Sequence, residues 1–156
     1  MKRANCTGFT IIETLLVIVL LAVILSVTAV NFSKTTLTHR LKVNTDDLVV
    51  LMRYAQSQAI ADAKSVYMKY DAEKRRFWLE AFDDKDKDVK PLVGRLAKGV
   101  SVLDQFELII DNDEVINFDT DGRIDKVNIA LCNKNKCRIV TTSLQRGFIH
   151  VLERTK

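Results

Sequence analysis

The spacing of apolar and polar residues changes along the chain, and each change predicts a different element. Residues 14–30 hold no charged side chain in 17 consecutive positions. The wider run, residues 9–32, is 24 residues long; as a helix it would extend roughly 36 Å, enough to cross a bilayer with some tilt. Glu13 interrupts this run near its start. A carboxylate at membrane depth costs a few kcal/mol and calls for a partner. Without a Pro or Gly, the run passes into residues 33–64, where Leu41, Leu48, Leu51, Met52, Ala55 and Ala59 recur near helical spacing among charged and amide residues. That pattern predicts an amphipathic continuation of the same helix, its apolar stripe facing a core. Residues 31–44 are rich in Ser, Thr and Asn, so fraying or bending is expected there, and "TDD" at 45–47 also reads as a fresh helix start.

From Lys64 onward the pattern turns to strands. "SVYMKYD" (65–71) and "RFWLEAF" (76–82), joined by "AEKR" (72–75), predict a hairpin. A charged loop follows at 83–91, with the single proline, Pro91. Shorter strands are expected at 99–103, 106–111 and 114–118, then a turn at "DTDG" (119–122). Longer strands are expected at 123–131, 137–142 and 147–153. Several short strands with turn signals between them predict a small antiparallel β-sandwich. The expected fold is therefore α+β: a long N-terminal helix, transmembrane in its first half, packed on a small antiparallel β-sandwich spanning 65–156. No internal repeat or low-complexity segment is present.

Composition adds little to this picture and excludes some functions. Across 156 residues, 24 basic and 20 acidic side chains leave a net charge of +4, too balanced to imply a nucleic-acid partner. Lys2 and Arg3 precede the apolar run, and the positive-inside rule keeps that end in the cytoplasm and the bulk of the chain outside the inner membrane. The run is longer than the apolar core of a cleaved signal peptide, and Cys6 precedes it, whereas a lipoprotein cysteine follows.

The stretch "TGFTIIETLLVIVLLAVIL" resembles the N-terminal signature of type IV pilins and their pseudopilin relatives. That signature is a short basic leader ending in Gly, then Phe, then an apolar helix with Glu four residues after the Phe. Lys2, Arg3, Gly8, Phe9 and Glu13 match it. The resemblance implies that residues 1–8 are a leader removed by prepilin peptidase between Gly8 and Phe9, and that the new amine of Phe9 is methylated. The chain would be a substrate of this chemistry, not an enzyme. The resemblance also gives Glu13 a partner, the Phe9 amine of an adjacent subunit; pairing in a low-dielectric bundle relieves the cost of both charges and would set the register between subunits. Many pilins carry a helix-kinking proline where this chain has Val30, which puts that kink in doubt.

"LVVLMRYAQSQAIADAKSVYMKYD", with Trp78 in the hairpin that follows, and "FDTDGRIDKVNIAL…CRIVTTSLQRGFIHV" resemble the GspH/FimT-type minor pseudopilins. This implies a sandwich packed on the helix and a place near the tip of a short pseudopilus in a type II secretion system. The alternative is a minor pilin of a type IV pilus or competence system, in contact with DNA. The implied partners are other pilins, prepilin peptidase and the bacterial inner membrane, crossed once with the globular domain periplasmic. No cofactor is implied.

Three further groups of residues carry candidate chemistry. Cys132 and Cys137 bracket "NKNK" and fit a hairpin clipped by a disulfide, in a compartment where disulfides persist; free thiols are the alternative. Cys6 would leave with the leader. Two Cys make too few ligands for a metal, and His39 and His150 are far apart in sequence. Asn117, Asp119, Asp121, Gly122 and Asp125 follow the spacing of a calcium loop, but Asn128 stands where a bidentate Glu is needed, and a β-turn explains the same letters. Lys134, Lys136, Arg138, Arg146, Arg154 and Lys156 could meet phosphates or form an ordinary solvated face. No nucleophile–base–acid set, nucleotide loop or catalytic carboxylate pair appears.

Overall fold

The computed structural model describes residues 10–83, 88–92, 94, 96–111, 115–144 and 147–155, without the side chains of 27–35, 83 and 88. The expected leader, 1–8, and Phe9 lie outside the described residues. The chain divides into two compact units, Met1–Leu37 and Thr38–Lys156.

Helix α1 (Ile11–Asp62) has 52 residues and stays helical through 31–44, where fraying or bending was expected. Thr45 does not start a new helix. Its Oγ1 donates to the carbonyl of Leu41 at 2.8 Å, the local bond by which a buried Thr satisfies itself inside a helix. Within the second unit the buried positions Leu41, Thr45, Leu48, Met52, Ala55 and Ala59 are at most 1% exposed. Their spacing alternates between four and three residues and so traces one straight stripe. The helix ends at Ala63, whose φ of 50° turns the chain into the left-handed region, while the Lys64 amide donates to the Ala59 carbonyl at 3.2 Å.

Among the described residues the strands form two antiparallel sheets. The first joins β1 (Val66–Asp71), β2 (Arg76–Asp83), β3 (Asp88–Pro91) and β6 (Val115–Phe118) in the order β3-β2-β1-β6, with β4 (Val100–Ser101) also paired to β2. The second runs β5 (Glu107–Ile110), β7 (Asn128–Cys132), β8 (Lys136–Thr141) and β9 (His150–Thr155), with order β5-β7-β8-β9. Alternation sorts the faces: Val66, Met68, Phe77 and Leu79 are buried, while Lys69 and Glu80 pair across the other face.

The strands expected over 99–103 and 147–153 are Val100–Ser101 and His150–Thr155, and two expectations change further. Residues 88–91 are an edge strand, with Pro91 opposite Glu80; an edge tolerates a residue that cannot donate to the ladder. The strand expected over 123–131 begins only at Asn128, since Ile124 forms a lone bridge to Phe118 and the Asp125 amide bonds the Asn117 carbonyl at 3.1 Å.

The helix stripe, both sheets and Phe106 share one buried cluster. A polar clasp closes one margin of it. Gln56 Nε2 donates to the carbonyls of Gly122 at 2.7 Å and Gly147 at 2.8 Å. Both glycines are left-handed, with φ of 81° and 77°, and a Cβ on Gly147 would sit 3.1 Å from the Gly122 carbonyl oxygen. We predict that Gln56→Ala, which strands two carbonyls, lowers unfolding stability by about 1–3 kcal/mol, whereas Gln58→Ala, on the surface, changes it by under about 0.5 kcal/mol. Thermal unfolding of the two variants checks this.

Candidate functional site

Among the described residues the first helical unit has no core of its own. Ile11 is 86% exposed and Leu25 66%, and every large apolar side chain between them is at least 44% exposed. A helix apolar on all sides needs apolar surroundings. Two of its hydroxyls are already satisfied: Thr14 Oγ1 donates to the Ile11 carbonyl at 2.8 Å and Ser26 Oγ to that of Val23 at 2.7 Å. Glu13 is the single acidic residue of the first turn. Thr10 caps that turn, its Oγ1 accepting the Glu13 amide at 3.4 Å and its carbonyl accepting the Glu13 and Thr14 amides at 3.1 and 3.2 Å. This Thr-x-x-Glu spacing is that of a capping box. Gly8 and Phe9 lie outside the described residues, so the amine proposed to meet Glu13 is not placed. Among the described residues no helix is long and apolar enough to cross a membrane. Residues 11–26, the part of the run with described side chains, make 16 residues, about 24 Å of helix against a hydrocarbon core of about 30 Å.

Cys132 and Cys137 are register partners on β7 and β8 and form a disulfide, with 4.0 Å between their Cα atoms. The four-residue loop between them is held by Asn133. Its Oδ1 accepts the Asn135 and Lys136 amides at 2.9 and 2.7 Å, and its own amide donates to the Lys136 carbonyl at 2.8 Å.

The calcium-like letters build a turn. Asp125 Oδ2 accepts the Asn117 amide at 3.1 Å, Asp119 Oδ1 accepts Asn117 Nδ2 at 2.9 Å, and Asp121 Oδ1 accepts the Arg123 amide at 3.1 Å. The carboxylates thus serve three separate donors, two on Asn117 and one on Arg123. Among the described residues no three His, Cys, Asp or Glu side chains converge to hold a metal. The Arg123 backbone amide, helped by its guanidinium, holds the Asp121 carboxyl below its ordinary 3.8.

The comparisons bear on this architecture. No protein-family model and no curated protein sequence matches the chain. Solved structures do. The minor pseudopilin EpsH from the Type 2 Secretion System of Vibrio cholerae superposes with a TM-score of 0.62 at 13% identity, covering 72% of this chain and 95% of its own. The type IV minor pilin FimU of Pseudomonas aeruginosa superposes with a TM-score of 0.58 at 15% identity, covering 76% of this chain and 93% of its own. The chain has a pilin-like fold.

In this pilin-like domain the late basic residues do not form one free patch. Arg138 is occupied: Nη1 donates to Asp46 Oδ1 at 3.0 Å and to the Lys42 carbonyl at 3.1 Å, and Nε lies 3.2 Å from Glu153. Lys134, Lys136 and Arg154 are exposed, and Arg146 and Lys156 lie outside the described residues. Sequence reasoning missed Arg138 as a clamp on α1, and it missed Asn44, whose Nδ2 donates to the Ser101 carbonyl at 2.9 Å. The available signal was an Asn and an acid at the edge of an otherwise apolar helical stripe.

Two outcomes follow. Cys132 and Cys137 alkylate only after reduction, and reduction costs about 2 kcal/mol of stability, the loop-closure value for so short a loop; alkylation without reductant contradicts the pairing. A depressed carboxyl stabilises above its unfolded value and loses that contribution as pH falls through its folded one. Asp121→Asn should therefore lower stability above pH 3.8, the ordinary Asp value, and the difference should vanish on further acidification.

Proposed function

We propose that the chain is a structural minor pseudopilin of a type II secretion system. Prepilin peptidase cuts it between Gly8 and Phe9 and methylates Phe9. Residues 9–32 then cross the inner membrane once, and the two sheets form a small sandwich on the outer part of α1, in the periplasm. The subunit enters or primes a short pseudopilus through contacts of its N-terminal helix with other pilins, with Glu13 paired to a neighbour's Phe9 amine.

One observation carries this reading. A single helix has exposed, mostly apolar side chains over 11–26, apart from Glu13, and supplies the core stripe of a pilin-like domain in its second unit. The likeness to EpsH, described as a minor pseudopilin, favours the secretion setting; that to FimU, described as a type IV minor pilin, keeps a pilus or competence system as the second reading. DNA contact draws no support from Arg138, which is held by acids.

Mass spectrometry of the protein from cells with prepilin peptidase should find an N-terminal methylated Phe9; an intact Met1 there overturns the assignment. Glu13→Leu should insert in the membrane but co-assemble poorly with other pilins. Normal co-assembly would remove Glu13 from the mechanism.

A further inference from the structure

The edges of the two sheets differ. In the first sheet, β3 carries Pro91 opposite Glu80. The open side of β6 is covered by Asp125, whose Oδ2 accepts the Asn117 amide and whose own amide donates to the Asn117 carbonyl, each at 3.1 Å. A proline and a covering loop are devices that keep a sheet edge from pairing. In the second sheet β5 and β9 are the edges, and among the described residues no strand pairs with the outer side of either. β9 runs six residues without a proline.

Backbone bonds fix the phase of this second sheet. The Asp111 amide donates to the Asn128 carbonyl at 2.9 Å, and the Asn133 amide to the Lys136 carbonyl at 2.8 Å. Bonded and non-bonded pairs alternate along an antiparallel ladder. Carried through the register of the four strands, this alternation turns the backbone groups of Leu108 and Ile110 to the outer side of β5. It turns those of Val151 and Glu153 to the outer side of β9. Side chains on the face away from the core form straight rows. Ile109, Ala130, Ile139 and Leu152 make an apolar one, and its two ends, Ile109 and Leu152, are 47% and 45% exposed.

The two edges complement each other. With β5 of a second copy antiparallel to β9 and Ile109 opposite Leu152, Arg154 faces Glu107, His150 faces Asp111 and Val151 faces Ile110. The outward backbone groups then meet in register, at Val151–Ile110 and Glu153–Leu108, and Glu153 keeps its ion pair with Arg138. A slip of two residues either way sets Leu152 against Glu107 or Asp111. Like edges match worse. Two β5 strands centred on Ile109 oppose Glu107 to Asp111 twice, and two β9 strands centred on Leu152 oppose Val151 to Glu153 twice. Opposite charges across strands stabilise a pair, and like charges destabilise it.

We infer that the outer edge of β9 docks β5 of a second copy of this chain, with Leu152 opposite Ile109, extending the four-stranded sheet from copy to copy. The contact joins two different patches, so each added copy leaves one edge open. It rests on the edges of one sheet and not on processing at Phe9.

Disulfide trapping in the full-length chain tests this, with Cys6→Ser to remove the cysteine outside the Cys132–Cys137 pair. A chain with both Ile109→Cys and Leu152→Cys cannot link the two within itself, because they lie three strands apart, about 14 Å. Mild oxidation in membranes should give a ladder of dimers, trimers and longer products. Arg154→Glu should reduce it several-fold, and adding Glu107→Arg should restore it. Products that stop at dimers, or abundant dimers from Leu152→Cys alone, would mean a closed two-fold contact and overturn the inference. Linkage only to another protein would overturn it too. Without any added cysteine, the protein in mild detergent should form concentration-dependent oligomers that Arg154→Glu disperses; a monomer at every concentration overturns the inference. These outcomes concern the sheet edges alone, and the proposed function stands or falls on the Phe9 start.

Discussion

Burial of one narrow stripe of α1 against two sheets is the contact on which the rest of the second unit depends. Leu41, Leu48 and Met52 each remove a large apolar side chain from water, worth roughly 1.5–3 kcal/mol apiece. Their partners come from strands far along the chain: Met68 and Phe77 from one sheet, Ile129 and Val140 from the other. Neither sheet is wide, and the helix gives both a common surface to cover. At the end of the stripe Ala55 and Ala59 are fully buried, and their small side chains let neighbouring chain come close, which a Leu at either position would prevent.

Polar side chains at the margins hold the same contact in register. Asn44 bonds the end of β4, Gln56 clasps two glycine turns, and Arg138 reaches from β8 to Asp46 and the Lys42 carbonyl. Each satisfies backbone or charged groups that would otherwise be left short of partners beside an apolar core. Arg75 plays a similar part at the first hairpin: its Nη2 donates to the Phe106 carbonyl at 2.6 Å, tying down the residue that places the Phe106 ring in the core.

The buried helix positions were legible because a period near 3.5 survives any detail of the partner surface, and the six apolar positions named from spacing are all in the core. The first hairpin was legible from alternation and a polar turn. The edge strand at Asp88–Pro91 was not, because its pairing with β2 is a long-range matter and its letters are those of a loop. The late start of β7 escaped for a similar reason: Asp125 turns back to bond Asn117 and uses the backbone that would have extended the strand. Of the candidate site, Glu13 and the Cys132–Cys137 pair stood out because a charge in an apolar run and two cysteines at hairpin spacing are each improbable by chance. Arg138 looked like surface charge, since nothing local tells of acids on another element.

The proposed function requires one helix to serve two surroundings, lipid along its apolar run and a packed domain beyond it. A cysteine scan read with a membrane-impermeant maleimide tests it most directly. Single cysteines at Val17, Leu20 and Val23 should stay unlabelled in intact membranes and react once detergent is added, while cysteines at Val43 and Val50 should react from the outer side throughout. Equal labelling of Leu20→Cys and Val50→Cys without detergent would rule out a lipid-buried first stretch of the helix.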